Sequence, residues 1–195
     1  GKAMFLMFDE TTERLAKKLG LQVMFPPAKM RTLMDNKVNT NRIAEKAGVP
    51  CVPYVLSNVS SYEQLGKVSK VLGTDLVIQT PFGDSGHTTF FISNEKEFKK
   101  YEDEILKEKE VKIMKRINCK GSAIEACVTR HGTIVAPLMT ELVGFKELTP
   151  YKGGWCGNEI YPNAFTPEIR EKASVYTQLF GNQLRKEGYK GYFEL

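Results

Sequence analysis

Apolar and polar positions along the chain fall into short blocks of two different periods. Residues 4–8 (Met-Phe-Leu-Met-Phe) form a continuous apolar run that predicts a strand. Thr11/Thr12 to Leu19 predict a helix stopped by Gly20, and Leu21 to Phe25 a second short strand ended by Pro26-Pro27. Met30 to Met34 reads as a helical turn. A longer helix follows, with Val38, Ile43, Ala44 and Ala47 on its apolar side, Asp35 as its candidate N-cap, and Gly48 with Pro50 as its stop. Cys51 to Leu56 predicts a strand. Ser60-Ser61-Tyr62-Glu63 is a capping box opening a helix that runs to about Leu72.

Residues 76–92 are the centre of the pattern. The apolar run Leu76-Val77-Ile78-Gln79 enters, a Gly/Ser/Thr loop turns it, and Thr89-Phe90-Phe91-Ile92 leaves. Gly83 and Gly86 can take positive φ and bring the backbone close to a ligand. Asp84, Ser85, His87 and Thr88 supply short polar groups, and successive N–H groups in such a turn attract anions. Two readings stay open, a plain hairpin turn and a phosphate loop. Neither G-x-x-x-x-G-K-[ST] nor G-x-G-x-x-G is present.

Ser93-Asn94 caps a mixed-charge helix predicted to about Lys109, and Val111 to Ile117 is strand-like. Residues 59–117 therefore predict α-β-β-α-β, a small sheet with two helices on one face. Ser122 to Thr129 and Thr133 to Val143 predict a hairpin. Glu125 and Glu141 stand among apolar neighbours, where a carboxylate either faces solvent or meets a polar ligand. Gly144 to Phe165 reads as one long loop holding Lys152 and the sole tryptophan, Trp155. That loop is either a cover for a site or a packing loop with Trp155 in the core. Thr166 caps a helix with Pro167 at its first turn, running to about Lys186, and Gly188 to Leu195 returns as a strand carrying Glu194.

Composition narrows the class. The 195 residues are 42% hydrophobic with a net charge of +5, enough to bury a core and mildly attractive to an anionic small molecule. Lysines are interleaved with glutamates, as over 95–104, and no arginine–aromatic stripe points to nucleic acid. Cys51, Cys119, Cys127 and Cys156 lack metal-ligand spacing and read as reduced thiols of a cytoplasmic protein. No apolar run approaches the ~18 residues of a membrane helix. Both ends read as cut, the first at an apolar strand and the last in mid-strand.

The order of these parts resembles the ATP-grasp superfamily, most nearly its biotin carboxylase and carbamoyl-phosphate synthase branch. The resemblance rests on Asn36-Lys37 opening a helix that ends in Gly48-Val49-Pro50, the glycine loop within 76–92, and the strand Lys112 to Ile117. It rests also on Ile124-Glu125-Ala126, Thr166-Pro167-Glu168 and Phe193-Glu194-Leu195. It implies an α+β fold of two lobes gripping a nucleotide. Residues 1–28 would be the tail of a preceding α/β domain, 29–58 linker helices and a strand, 59–117 the small lobe, and 118–195 an incomplete large lobe. It further implies ATP and Mg²⁺ as cofactors. Lys37, Gln79 and the loop Gly83, Asp84, Ser85, Gly86, His87 and Thr88 would meet the phosphates. Lys115 and Ile117 would offer backbone groups to adenine, Glu125 would contact the nucleotide, and Glu194 would hold Mg²⁺. Lys152 would help hold a substrate carboxylate.

The implied activity is a ligase that converts a carboxylate or bicarbonate to an acyl-phosphate for an amine or other nucleophile. A homodimer is one arrangement open to it, without nucleic acid or membrane as partner. The chain departs from the family at Asn36, where an aspartate is usual, at neutral Gln79, where a lysine is usual, and at Met114, where a glutamate is usual, and its loop around Lys152 lacks the histidine–lysine arrangement of biotin carboxylases. These departures leave a second reading, a non-catalytic nucleotide-binding or interaction module on the same scaffold.

Overall fold

Two four-stranded antiparallel sheets, each over its own core, frame the fold. The computed structural model describes residues 1–5, 8–84, 86–161 and 163–195. A short N-terminal unit comes first: β1 (Lys2–Ala3), α1 (Glu10–Lys18) and β2 (Gln22–Val23), with β1 and β2 pairing in parallel. The strand expected over residues 4–8 is displaced. The ladder stops at Ala3↔Val23, and Met4, Phe5 and Phe8 lie outside it, while Leu6 and Met7 fall outside the described residues. Val23 is soon followed by Pro26-Pro27, so the partner strand has no further pairing to offer. Phe8 instead stacks between Phe5 and Phe25, at 5.8 and 5.6 Å between ring centroids.

Helices α2 (Ala28–Asp35) and α3 (Lys37–Lys46) follow. Asn36, not Asp35, caps α3: its Oδ1 accepts from the amides of Val38 and Asn39 at 3.0 and 3.1 Å. Asp35 is the last residue of α2 and pairs one turn back with Arg31 at 3.5 Å. Asn and Asp cap about equally well, so position relative to the break between the helices decides.

The small lobe is a sheet of β3 (Tyr54–Ser57), β6 (Val111–Lys115), β4 (Leu76–Gln79) and β5 (Thr89–Ile92), in that order. One face carries Ile78, Ile92, Ile113 and Val111, buried under Leu65 of α4 (Tyr62–Val68), Phe98 of α5 (Glu95–Lys99) and Ile105 of α6 (Glu102–Leu106). The single helix expected over 94–109 is thus two short ones, broken where Tyr101 stacks on Phe90 at 4.7 Å. Side chains at alternate positions, among them Val77, Gln79, Thr89, Phe91 and Lys112, stand on the opposite face.

The large lobe is a sheet of β10 (Gly191–Glu194), β7 (Ser122–Val128), β8 (Thr133–Val143) and β9 (Trp155–Glu159). Helix α7 (Pro167–Lys186), capped by Thr166, packs on β7 and β8. Its Phe180 and Leu184 join Ile43 and Ala44 of α3, Val128 and Tyr189 in one core, so the linker helix is fastened to the large lobe. The span 144–165 is not all loop, because Trp155–Glu159 extends the sheet against β8, pairing Asn158 with Glu141. Among the described residues no helix is long and apolar enough to cross a membrane.

Candidate functional site

The two sheets face each other across a cleft of about 710 Å³. Its small-lobe wall is Gln79, Gly83, Asp84, Gly86, Thr88, Thr89 and Phe91; the large-lobe wall includes Ser122, Glu141, Gly153, Trp155 and Glu194, with Lys37 at the junction. A second cavity of about 420 Å³ lies behind Lys37 and Glu194, among Phe25, Arg31, Phe180 and Tyr192.

Lys37 is the first residue of α3, and the hairpin loop satisfies it twice. Its backbone N–H donates to the Pro81 carbonyl at 2.8 Å, and its ammonium donates to the Gly83 carbonyl. Partial burial pushes the Lys37 ammonium below its usual pKa, opposed by the charges of Asp84 and Asp35. A cation at a helix N-terminus is locally unfavourable. Here the loop carbonyls compensate for that position.

The loop is tight. Gly83 has φ +143° and Gly86 φ +79°, and a Cβ on Gly86 would lie 2.1 Å from the carbonyl oxygen of Gly153 in the other lobe. The amides of His87 and Thr89 donate to Asp84 and Gly86 inside the turn, at 2.9 and 3.2 Å. Those two N–H groups therefore serve the loop itself. Gln79 donates to the Thr89 hydroxyl at 3.2 Å.

On the opposite wall Glu141 is half-buried, and desolvation raises its pKa above the usual carboxylate range, with the charge of Glu194 pushing it further. Both carboxylates line the cleft, and oxygen donors of this kind suit a hard cation such as Mg²⁺. Two carboxylates alone do not complete a coordination shell. Among the described residues no group of three His, Cys, Asp or Glu side chains converges. A cation here would take its remaining oxygens from ligand and water.

Of the residues singled out in the sequence, the structure brings Lys37, Gln79, Gly83, Asp84, Gly86, Thr88 and Glu194 into one cleft. Ser85 lies outside the described residues. His87 points across the loop to Tyr151, with ring centroids 4.3 Å apart. The Lys152 ammonium sits 4.8 Å from the centroid of the Phe91 ring, which also carries the Arg116 guanidinium at 5.5 Å. Lys115 and Ile117 are exposed at the end of β6, and the Lys115 amide is already bonded to Pro53 at 3.0 Å. Glu125 lies beyond the cleft, opposite Glu194 in the β7–β10 ladder. Sequence reading left Glu141 open between solvent and a polar ligand and Trp155 between a covering loop and the core, and it did not single out Phe91; all three line the cleft. The signal available was period two: Glu141 lies two residues beyond buried Met139, and Phe91 alternates with buried Phe90 and Ile92.

No protein-family model matches the chain. The 2-oxoglutarate carboxylase small subunit of Hydrogenobacter thermophilus is 27% identical over 93 residues, which are 48% of this chain and 20% of that protein. Among solved structures, biotin carboxylase from Campylobacter jejuni, in a β-γ-ATP complex, superposes with a TM-score of 0.77 at 16% identity, over 99% of this chain and 45% of that one. The biotin carboxylase domain dimer of H. thermophilus 2-oxoglutarate carboxylase, complexed with MgADP, ADP and bicarbonate, gives 0.71 at 21% identity, over 95% of this chain and 41% of that one. The chain thus spans less than half the length of these relatives. The expected α+β architecture is borne out, two sheets closing on one cleft, and by this superposition over nearly its whole length the chain has the ATP-grasp fold.

Proposed function

We propose that the chain is most of the nucleotide-binding part of an ATP- and Mg²⁺-dependent ligase that activates a carboxylate or bicarbonate as an acyl-phosphate. One observation carries this reading. Lys37, locked to the glycine loop, faces the Glu141–Glu194 carboxylates across a single cleft. A polyanion between them would find a cation and loop amides on one side and a metal-ready pair on the other. Two structural relatives are complexes with nucleotide, one of them also with bicarbonate, which supports the ligand class.

In this reading Lys37 binds the phosphate chain, giving up its bond to the Gly83 carbonyl for one to a phosphate oxygen. The glycine loop excludes water from above, and Phe91 and Trp155 supply the apolar walls. Glu194 would hold Mg²⁺, with Glu141 relieved of repulsion by the same charge; the ion would neutralise phosphate charge. Attack of a carboxylate oxygen on the γ-phosphorus forms the acyl-phosphate and releases ADP, and an amine or other nucleophile then displaces phosphate from the carbonyl. Such transfer needs positioning and charge neutralisation more than a covalent nucleophile. Calorimetric titration with MgATP tests the binding step, with micromolar to millimolar affinity expected; no heat and no shift in unfolding temperature would overturn the reading.

The second reading, a non-catalytic module that binds nucleotide without turnover, is favoured by Gln79. This neutral side chain is engaged with Thr89 where the resemblance leads one to expect a charge. Bicarbonate-dependent ADP formation separates the two.

A further inference from the structure

Four side chains form a row across the small sheet on its cleft-facing side: Leu56, Lys112, Gln79 and Thr89, on β3, β6, β4 and β5. Gln79 and Lys112 are direct cross-strand partners. Directly opposed residues of an antiparallel pair share a face, with Cβ atoms roughly 4.5–5.5 Å apart. Gln79 lines the cleft and Lys112 does not; the Lys112 ammonium lies toward Tyr54 of β3, and its four-carbon stem is long enough to swing to the Gln79 side of β6.

Lys112 is half-buried between Val111 and Ile113, both fully buried. Among the described residues no carboxylate lies within ion-pair distance of it. Its contact is the Tyr54 ring, 5.9 Å from the ammonium to the centroid, at the outer limit of a cation–π interaction. Burial pushes its pKa below the usual value, the nearby Cys51 opposes that shift, and the charge of Lys37 pushes it down further. A desolvated ammonium that feels the charge of a second one, with no carboxylate in ion-pair distance, is costly. An anion shared between the two removes that cost.

We infer that Lys112 is a phosphate-binding residue: together with Lys37 it forms a two-cation receptor for the oligophosphate chain of a nucleotide, with Gln79 as the neutral spacer. The inference rests on the nucleotide reading above and assigns to β6 the charge that β4 lacks. The same geometry sets what a lysine at position 79 would do. Placed opposite Lys112 it would add like charge, so a single Gln79→Lys change should not tighten ATP binding.

The test is a charge swap. Affinities for ATP, adenosine and tripolyphosphate are measured by calorimetry for the unmodified chain, Lys112→Met, Lys112→Gln and the double variant Lys112→Met with Gln79→Lys. Thermal unfolding identifies the variants that fold, and Lys112→Gln is read if Lys112→Met does not. Lys112→Met should weaken ATP about tenfold or more and leave adenosine unchanged, as loss of one charge-assisted contact requires. The double variant should recover most of that loss, which a merely structural role for Lys112 would not produce. ATP affinity unchanged in Lys112→Met, or ATP and adenosine weakened alike, overturns the assignment while the nucleotide reading stands. A chain that ignores ATP but binds tripolyphosphate through Lys112 retires the nucleotide reading and keeps the receptor. A chain that binds neither overturns both.

Discussion

Gly86 and Gly153 meet across the mouth of the cleft: a Cβ on Gly86 would lie 2.1 Å from the Gly153 carbonyl oxygen. The phosphate-loop candidate is therefore in van der Waals contact with the opposite lobe. Its glycine is required by that contact as well as by its φ of +79°.

Gly86→Val should for this reason separate the loop from residues 149–154 as well as lower nucleotide affinity. The left-handed conformation alone costs a non-glycine residue about 1–2 kcal/mol. Hydrogen exchange at 149–154 should rise in the variant. Unchanged exchange there, with the native unfolding temperature, would show that the contact does not hold in solution.

Glu141 gives a pH prediction with a defined sign. Its folded pKa is raised, so between the ordinary glutamate value of 4.5 and the raised one the folded state holds more of the proton than the unfolded state. Stability contributed at this site therefore falls as pH rises through that window. Glu141→Gln should be more stable than the parent at pH 7, and the difference should vanish once both states of the parent are protonated, near pH 3. Thermal unfolding across that range checks it, and a gain that persists at low pH would point to packing instead of charge.

The capping assignment at α3 is testable separately. Asn36→Ala removes two accepted amide bonds and should cost about 1 kcal/mol, within the 0.5–2 usual for a lost N-cap. Asp35→Ala loses only a pair with a 57% exposed carboxylate and should cost less. Chemical denaturation of the two variants ranks them; the reverse order would return the cap to Asp35.

Trp155 is half-exposed and lines the cleft beside Gly153. As the sole tryptophan it reports on this wall alone. MgATP should change its emission, and acrylamide quenching should fall as ligand covers it. A flat titration, where calorimetry records binding, would place the nucleotide away from this wall.

Much of this was legible in the sequence, and the exceptions have physical causes. The box read at Ser60–Glu63 is shifted by one residue to Ser61 and Gln64. Other helix ends carried by local chemistry came through, as Thr166 with Pro167, Asn94 and Gly48 mark termini that the structure keeps. So did Lys37, Gly83, Gly86 and Glu194 as residues of one place, because a family resemblance stores spatial order in chain order. Partnership between distant strands is not stored that way. Trp155–Glu159 has weak strand composition and becomes a strand only because β8 offers an edge. Lys112 read as one alternating residue of a strand, and its relation to Gln79 exists only once β6 and β4 are paired in register. Lys152 drew attention by its charge, yet its ammonium lies over the Phe91 ring and it is not among the residues lining the cleft.

The double attachment of Lys37 bears on how the loop is held. Helix α3 is fastened to the large lobe, so its bonds to Pro81 and Gly83 anchor one flank of the hairpin to that body. The other flank rests on Gly153 and Tyr151 through close packing and a ring contact. Charge-assisted bonds outlast dispersion contacts at an exposed rim. The loop is thus held asymmetrically, hydrogen-bonded on its Lys37 flank and packed at Gly86.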